Sequence, residues 1–220
     1  MARLKTAVLI SGRGSNLEAL IGACTAKDFP AAIDLVISNR ADAGGLDHAK
    51  RAGIASAVIP HRDYKSREAF DAALTAALEK AQIELVCLAG FMRLLTPDFV
   101  AHWRDRLINI HPSLLPAFPG LDTHARALAE GVRFAGCTVH FVRAEIDRGP
   151  IIVQAAVPVL PGDTEASLAA RVLEAEHRAY PLALRLIGEG RAKVVAEHVV
   201  IAGSGGTARV LLNPSDDSGA

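Results

Sequence analysis

The feature that most restricts the fold is an alternation, through the first half of the chain, of short apolar runs with segments of helical periodicity. The runs are Thr6 to Ile10, Ile33 to Ile37, Ala55 to Ile59 and Glu84 to Ala89. The last is almost entirely apolar, as a central strand covered on both faces must be. Between them lie Leu17 to Ala26, with Leu17, Leu20, Ile21 and Cys24 at helical spacing, Gly44 to Ala52 closed by Gly53, and Ser66 to Lys80. In the third of these, Phe70, Ala73, Leu74, Ala77 and Leu78 form the apolar stripe. Strand and helix in strict alternation predict a parallel sheet with right-handed crossovers.

The second half changes character. Cys137 to Val142 alternates, with Thr138 and His140 on one face, and a turn from Glu145 to Pro150 leads into a strand from Ile151 to Leu160. Two strands joined by a turn run antiparallel. The predicted fold is therefore α/β, a Rossmann-like mixed sheet with a parallel N-terminal half, an antiparallel C-terminal part and helices on both faces. Asp122 to Glu130 reads as a helix. Asp163 or Thr164 caps a last long helix, with Leu168, Val172, Ala179, Leu182 and Leu186 inward and a kink at Pro181. Arg191 to Ile201 reads as one edge strand. Residues 1–202 are expected to form a single domain and the Gly-, Ser- and Asp-rich residues 203–220 a flexible tail.

Lys+Arg and Asp+Glu both number 24, so no net charge draws the chain to nucleic acid or an anionic membrane. Cys24, Cys87 and Cys137 form no CxxC pair and sit among apolar residues, which points to reduced thiols and a cytoplasmic protein. The first apolar run is too short for a signal peptide, and no run approaches a membrane span. The eight histidines form no HExxH and no cysteine-containing zinc set, so no metal is expected. Small-molecule partners are expected; monomer and homodimer both stay open.

Three places stand out as candidate chemistry. In Leu107-Ile108-Asn109-Ile110-His111-Pro112, Pro112 ends the strand, and the period of two sends Asn109 and His111 out together at its carboxyl end. Open α/β sheets place ligands there. A lone histidine is more often a satisfied, half-buried residue; the polar pair at the mouth of an apolar strand shifts the balance toward an active site. Ser11-Gly12-Arg13-Gly14-Ser15-Asn16 joins a strand to a helix start, the geometry that offers free N–H groups to a phosphate. Leu17 stands where a dinucleotide fingerprint needs its third glycine, and no GK[ST] follows, so a phosphate monoester is the better match for Gly14, Ser15 and Asn16. Gly90 to Pro97 is an apolar loop with Arg93 embedded in it. It either packs on the next helix or lines a pocket for a flat ligand.

Four stretches in this order resemble the folate-dependent formyltransferases: Ser11 to Asn16, Ala89-Gly90-Phe91-Met92-Arg93, Asn109 to Pro116, and Asp147-Arg148-Gly149-Pro150. The phosphate turn and Pro119-Gly120-Leu121-Asp122-Thr123-His124 are more specific to the branch that acts on glycinamide ribonucleotide in purine synthesis. The resemblance, which runs from about residue 5 to residue 195, implies transfer of a formyl group from 10-formyltetrahydrofolate, a co-substrate, to the ribonucleotide amine. It implies catalysis by Asn109, His111 and Asp147, with ribonucleotide contacts from Gly14, Ser15, Asn16, Leu173 and Glu176. The folate contacts it implies are Arg67, Met92, Arg93, Leu94, Leu95, Asn109, Arg143, Ala144, Glu145, Ile146 and Asp147. Leu173, Asp122 and Ala144 depart from residues common in relatives.

On that resemblance, Asn109 and a protonated His111 stabilise the oxyanion and Asp147 raises the pKa of His111. Without it, Asp147 would be an ordinary turn residue. The alternatives are a formyltetrahydrofolate hydrolase using the same trio, and a non-catalytic nucleotide-binding module.

Overall fold

The computed structural model describes residues 2–203 and 211–213. In chain order the elements are β1 (Leu4–Ile10), α1 (Ser15–Cys24), β2 (Ala31–Ser38), α2 (Gly45–Arg51), β3 (Ala55–Val58), α3 (Arg67–Lys80), β4 (Leu85–Leu88) and α4 (Pro97–His102). They continue with β5 (Leu107–His111), α5 (Thr123–Ala129), β6 (Phe134–Phe141), β7 (Ile151–Pro158), α6 (Glu165–Gly188), β8 (Ala192–Val195) and β9 (His198–Ile201).

Seven strands form one sheet in the order β3-β2-β1-β4-β5-β6-β7. The first five pair in parallel. From β5 onward the pairing is antiparallel, Asn109 facing His140 and His111 facing Thr138, and β6 pairs likewise with β7. The mixed sheet thus matches the expectation, and β5 is the strand at which direction changes.

The sheet is covered on both sides because its central strands are apolar on both. Val8, Ile10, Cys87, Ile108, Ile110 and Val139 share one core with α1 and α6. Ala7, Leu9, Val86, Leu88 and Leu107 share the other with Phe70, Leu74 and Leu78 of α3 and Phe99 and Val100 of α4. Fully burying one such aliphatic side chain is worth about 1.5–3 kcal/mol. Tyr180 of α6 is wholly buried and donates its hydroxyl to the Leu88 carbonyl at 2.9 Å, fastening the long helix over the β4–β5 junction.

Helix starts follow local chemistry. Ser66 caps α3 by accepting the Ala69 N–H at 3.2 Å, and Thr164 forms a capping box with Ser167 at the start of α6.

Three expectations need correction. Leu182 is not inward but 47% exposed; Ala183 and Leu184 are buried in its place, because α6 runs on through Pro181 and keeps its period. The strand beginning at Ile151 ends at Pro158, short of Leu160. Arg191 to Ile201 is not one edge strand but the β8–β9 hairpin, a separate two-stranded sheet. Its turn uses two non-glycine residues in left-handed conformation, Ala196 (φ 47°) and Glu197 (φ 62°). Of the expected tail, residues 204–210 and 214–220 lie outside the described residues. Asn213 is described, and its amide donates to the Val159 carbonyl at 3.0 Å.

Candidate active site

The site is built at the carboxyl ends of the central strands, where the turn before α1, the loop after β4, the end of β5 and the loop after β6 converge. Pro112 ends β5 one residue past His111, as the period-two reading requires. His111 is buried and Asn109 half-buried.

Asp147 comes from the loop between β6 and β7. Its backbone is left-handed at φ 50°, a conformation that Asp adopts more readily than most residues. One carboxylate oxygen lies 3.4 Å from Nδ1 of His111; the other accepts the Gly120 N–H at 2.7 Å. The two side chains are only 7% and 12% exposed, so water screens the pair little. Nε2 of His111 faces the Phe118 carbonyl at 3.0 Å. The imidazole is therefore flanked by a carboxylate on its Nδ1 side and a backbone carbonyl on its Nε2 side. Asn109 makes no side-chain hydrogen bond among the described residues.

The loop base is closed by the Phe141 N–H, which donates to the Pro150 carbonyl at 2.9 Å. Gly149 makes that closure possible: at φ +140° a side chain there would place its Cβ 2.0 Å from the Phe141 carbonyl oxygen.

The glycine turn expected between β1 and α1 is present. Gly14 is left-handed at φ +79° and precedes α1, and a Cβ on it would come within 2.5 Å of the Gly45 Cα. Only glycine fits, both for its backbone and for its neighbour. Ser15 and Asn16 then open α1, where unpaired N–H groups and the helix dipole favour an anion.

Asn16 donates through Nδ2 to Glu176 of α6 at 2.7 Å, linking the turn to the far end of the chain. Glu176 is 7% exposed. Burial pushes its carboxyl above the ordinary glutamate range, and the Asn16 hydrogen bond only partly offsets that. Leu173, one turn earlier, is half-buried.

Gly14, Ser15, Asn16, Met92 and Arg93 share a cleft of about 450 Å³. Arg143, Ala144, Glu145 and Asp147 line a second cleft of about 520 Å³. Arg67, Leu94, Leu95 and Ile146 line neither, and nor do Asn109, His111, Leu173 and Glu176. Arg67 is exposed in the first turn of α3, Leu94 and Ile146 are each 58% exposed, and Leu95 packs against the α3–α4 core. Of the two uses open to the Gly90–Pro97 loop, Met92 and Arg93 face a cleft while Leu95 packs. Arg93 has no ion pair among the described residues. Arg143 is committed: its guanidinium donates to Asp105 and Glu197 at 2.7 and 2.6 Å and to the Val142 carbonyl at 3.1 Å.

Sequence reasoning leaves out two groups that the fold brings in. His140 sits directly across from Asn109, so their side chains share one face of the sheet. It is 1% exposed, and burial holds its pKa below the ordinary histidine value. Its Nδ1 is 3.0 Å from the Phe141 carbonyl and so carries the proton, which leaves Nε2 a buried acceptor without a partner among the described residues. The signal in the sequence was its place beside Thr138 on one face of the alternating run Cys137 to Val142.

The second group is Ser11 and Asn39. Ser11 accepts the Met92 N–H at 2.8 Å and donates to Asn39 at 2.6 Å, tying the loop after β4 to the ends of β1 and β2. Small polar residues immediately after apolar strands were the signal there.

The formyl transferase family model matches residues 4–184. The chain belongs to the formyl transferase family. It is 49% identical over 187 residues to a phosphoribosylglycinamide formyltransferase of Escherichia coli K12, covering 85% of this chain and 88% of that one. A glycinamide ribonucleotide transformylase 1 from Symbiobacterium toebii superposes with a TM-score of 0.88 at 51% identity, covering 90% of this chain and 94% of that chain. The trifunctional purine biosynthetic protein adenosine-3 of Drosophila pseudoobscura is 55% identical over 197 residues, 89% of this chain. The chain spans only 14% of that longer relative.

No helix among the described residues is long and apolar enough to cross a membrane. No group of three His, Cys, Asp or Glu among them could hold a metal ion.

Proposed function

We propose that the chain transfers the formyl group of 10-formyltetrahydrofolate to the amine of glycinamide ribonucleotide. The observation that carries this reading is the apposition of Asp147 and His111 at 3.4 Å, beside Asn109, at the carboxyl end of the strand where the sheet changes direction. Family membership and the names of the E. coli and S. toebii relatives support the substrate assignment.

The substrate amine is itself the nucleophile. Its attack on the formyl carbon forms a C–N bond and moves an electron pair onto the formyl oxygen. Donors aimed at that oxygen supply the largest help. The Asn109 amide is one. His111 is the other once substrate displaces the Phe118 carbonyl from Nε2, with Asp147 holding the opposite nitrogen. Collapse of the tetrahedral species breaks the bond to the folate nitrogen. That nitrogen takes up a proton as the attacking amine gives one up, with His111 as the relay.

The phosphate of the ribonucleotide sits at the start of α1, against Gly14, Ser15 and Asn16, and Glu176, with Leu173 beside it, accepts from its hydroxyls. The folate lies along Met92 to Leu95 and the loop from Arg143 to Asp147. Arg93 or Arg67 meets its glutamate carboxylates. Because four of the five guanidinium N–H groups of Arg143 are already used, its contact with folate is through the backbone.

The test is an assay of purified protein with 10-formyltetrahydrofolate and either glycinamide ribonucleotide or water alone. Formylation of the ribonucleotide is expected. Release of formate at the same rate without it would make the protein a hydrolase instead.

A further inference from the structure

The loop between β6 and β7 carries Asp147, yet little of its own structure fixes it. Ala144, Glu145, Ile146 and Arg148 are exposed, and none has a side-chain hydrogen bond among the described residues. Two side chains tether it. Asp147 itself holds to His111 and Gly120; the other tether is Arg143, at the loop's start.

Arg143 is 12% exposed and its guanidinium is gripped from two directions. Asp105, in the segment that leads into β5, accepts from Nη2 at 2.7 Å. Glu197, at the tip of the β8–β9 hairpin, takes Nε at 2.6 Å and Nη2 at 3.4 Å, a two-pronged contact suited to a planar guanidinium. Glu197 also pairs with Arg104, the neighbour of Asp105. Asp105 and Glu197 are both left-handed, at φ 57° and 62°. The hairpin lies outside residues 4–184, the stretch that the family model matches.

We propose that the β8–β9 hairpin is a clamp, with Glu197 as a positioning residue for the formyl donor. Through Arg143 it fixes the loop that presents Asp147 and lines the second cleft. The network ties the hairpin tip, which belongs to a separate two-stranded sheet, to the entry to β5 and the loop after β6, which are already neighbours across the β5–β6 ladder. An ion-pair network gains over isolated surface pairs because each held side chain has already given up its freedom for the first partner. Glu197 touches no reacting atom; it acts through Arg143. The role rests on the proposed formyl transfer, since it concerns the folate side of that site.

The test compares full-length wild type with Glu197→Gln, Glu197→Asp and the double variant Arg143→Met/Glu197→Gln. Amide hydrogen exchange is followed across residues 142–149, and KM and kcat are measured with 10-formyltetrahydrofolate and glycinamide ribonucleotide. For Glu197→Gln, loop exchange is expected to quicken and KM for the formyl donor to rise by about two- to fivefold, the range of one or two lost exposed pairs. KM for the ribonucleotide and the melting temperature stay near wild type. Glu197→Asp restores part of both effects, and the double variant loosens the loop at least as much as the single, because Arg143→Met also removes the Asp105 and Val142 contacts. Unchanged loop exchange in Glu197→Gln, or equal rises in both KM values, overturns the clamp. If wild type formylates no ribonucleotide, the proposed function fails, while the exchange measurement still judges the clamp.

Discussion

Asp147 stands 36 residues after His111 in the chain, yet its carboxylate lies 3.4 Å from the imidazole, and a left-handed backbone at φ 50° aims it there. Asparagine tolerates that conformation as well as aspartate does, so Asp147→Asn changes the charge and spares the turn. The variant's amide can still accept the Gly120 N–H. On the proposed mechanism kcat falls by about 10²–10⁴, the usual share of a positioned acid–base group, and its pH profile changes shape. The melting temperature stays within a few degrees of wild type. A pH–rate profile identical to wild type would remove Asp147 from the proton relay.

Asn109 isolates the electrostatic part of the mechanism. Its side chain makes no hydrogen bond among the described residues, so truncation leaves no protein partner stranded. Asn109→Ala is expected to lower kcat by about 10²–10³ with both KM values little changed, the signature of a donor used in the transition state. Single-turnover kinetics with saturating substrates checks it. A rise in KM at constant kcat would make Asn109 a ground-state binder instead.

The parts of this molecule that could be read from sequence are those governed by short periods. Asn109 and His111 share a face because strands repeat every two residues, and Pro112 fixes where β5 stops. Gly14 is required by the backbone of one turn, and its neighbours follow. What could not be read depends on distance in the chain. Asn16 and Glu176 lie 160 residues apart, and nothing local to either residue announces the bond. The hairpin at Ala196 and Glu197 lacks the Asn-Gly or Asp-Gly pair that marks a tight turn, so its two strands read as one. Leu182 misled for another reason: near the end of α6 several apolar residues are adjacent, and periodicity alone does not say which of them the sheet covers.

Gly14 should tolerate no side chain. Gly14→Ala must hold alanine at φ +79° and bring its Cβ to 2.5 Å from the Gly45 backbone. The left-handed conformation alone costs about 1–2 kcal/mol. For a chain of this size that lowers the melting temperature by roughly 2–8 °C. Because relief moves the start of α1, KM for the ribonucleotide should rise while that for the formyl donor stays near wild type. Calorimetry and steady-state kinetics test the pair of effects, and a change confined to the formyl donor would remove the turn from the phosphate site.

Glu176 offers a trade between stability and function that pH can expose. Burial raises its carboxyl above the ordinary value of 4.5, so between that value and the folded-state value the folded protein holds more protons than the unfolded chain. Stability therefore falls as pH rises through that window, and above it the full cost of a buried carboxylate is present. Glu176→Gln removes that cost. The glutamine oxygen can still accept from Asn16 Nδ2, and its amide can donate to Asn16 Oδ1, a buried acceptor without a partner among the described residues. The variant should melt at about the wild-type temperature below pH 4.5, gain on wild type as pH rises through the window, and stay above it at higher pH. Its KM for the ribonucleotide should be higher once the pH is above that window, where Glu176 is ionised, because a neutral amide accepts hydroxyl hydrogen bonds less strongly than a carboxylate. Melting curves across that pH range decide it: a glutamine variant less stable than wild type at pH 8 would show that the carboxylate, buried as it is, stabilises the fold.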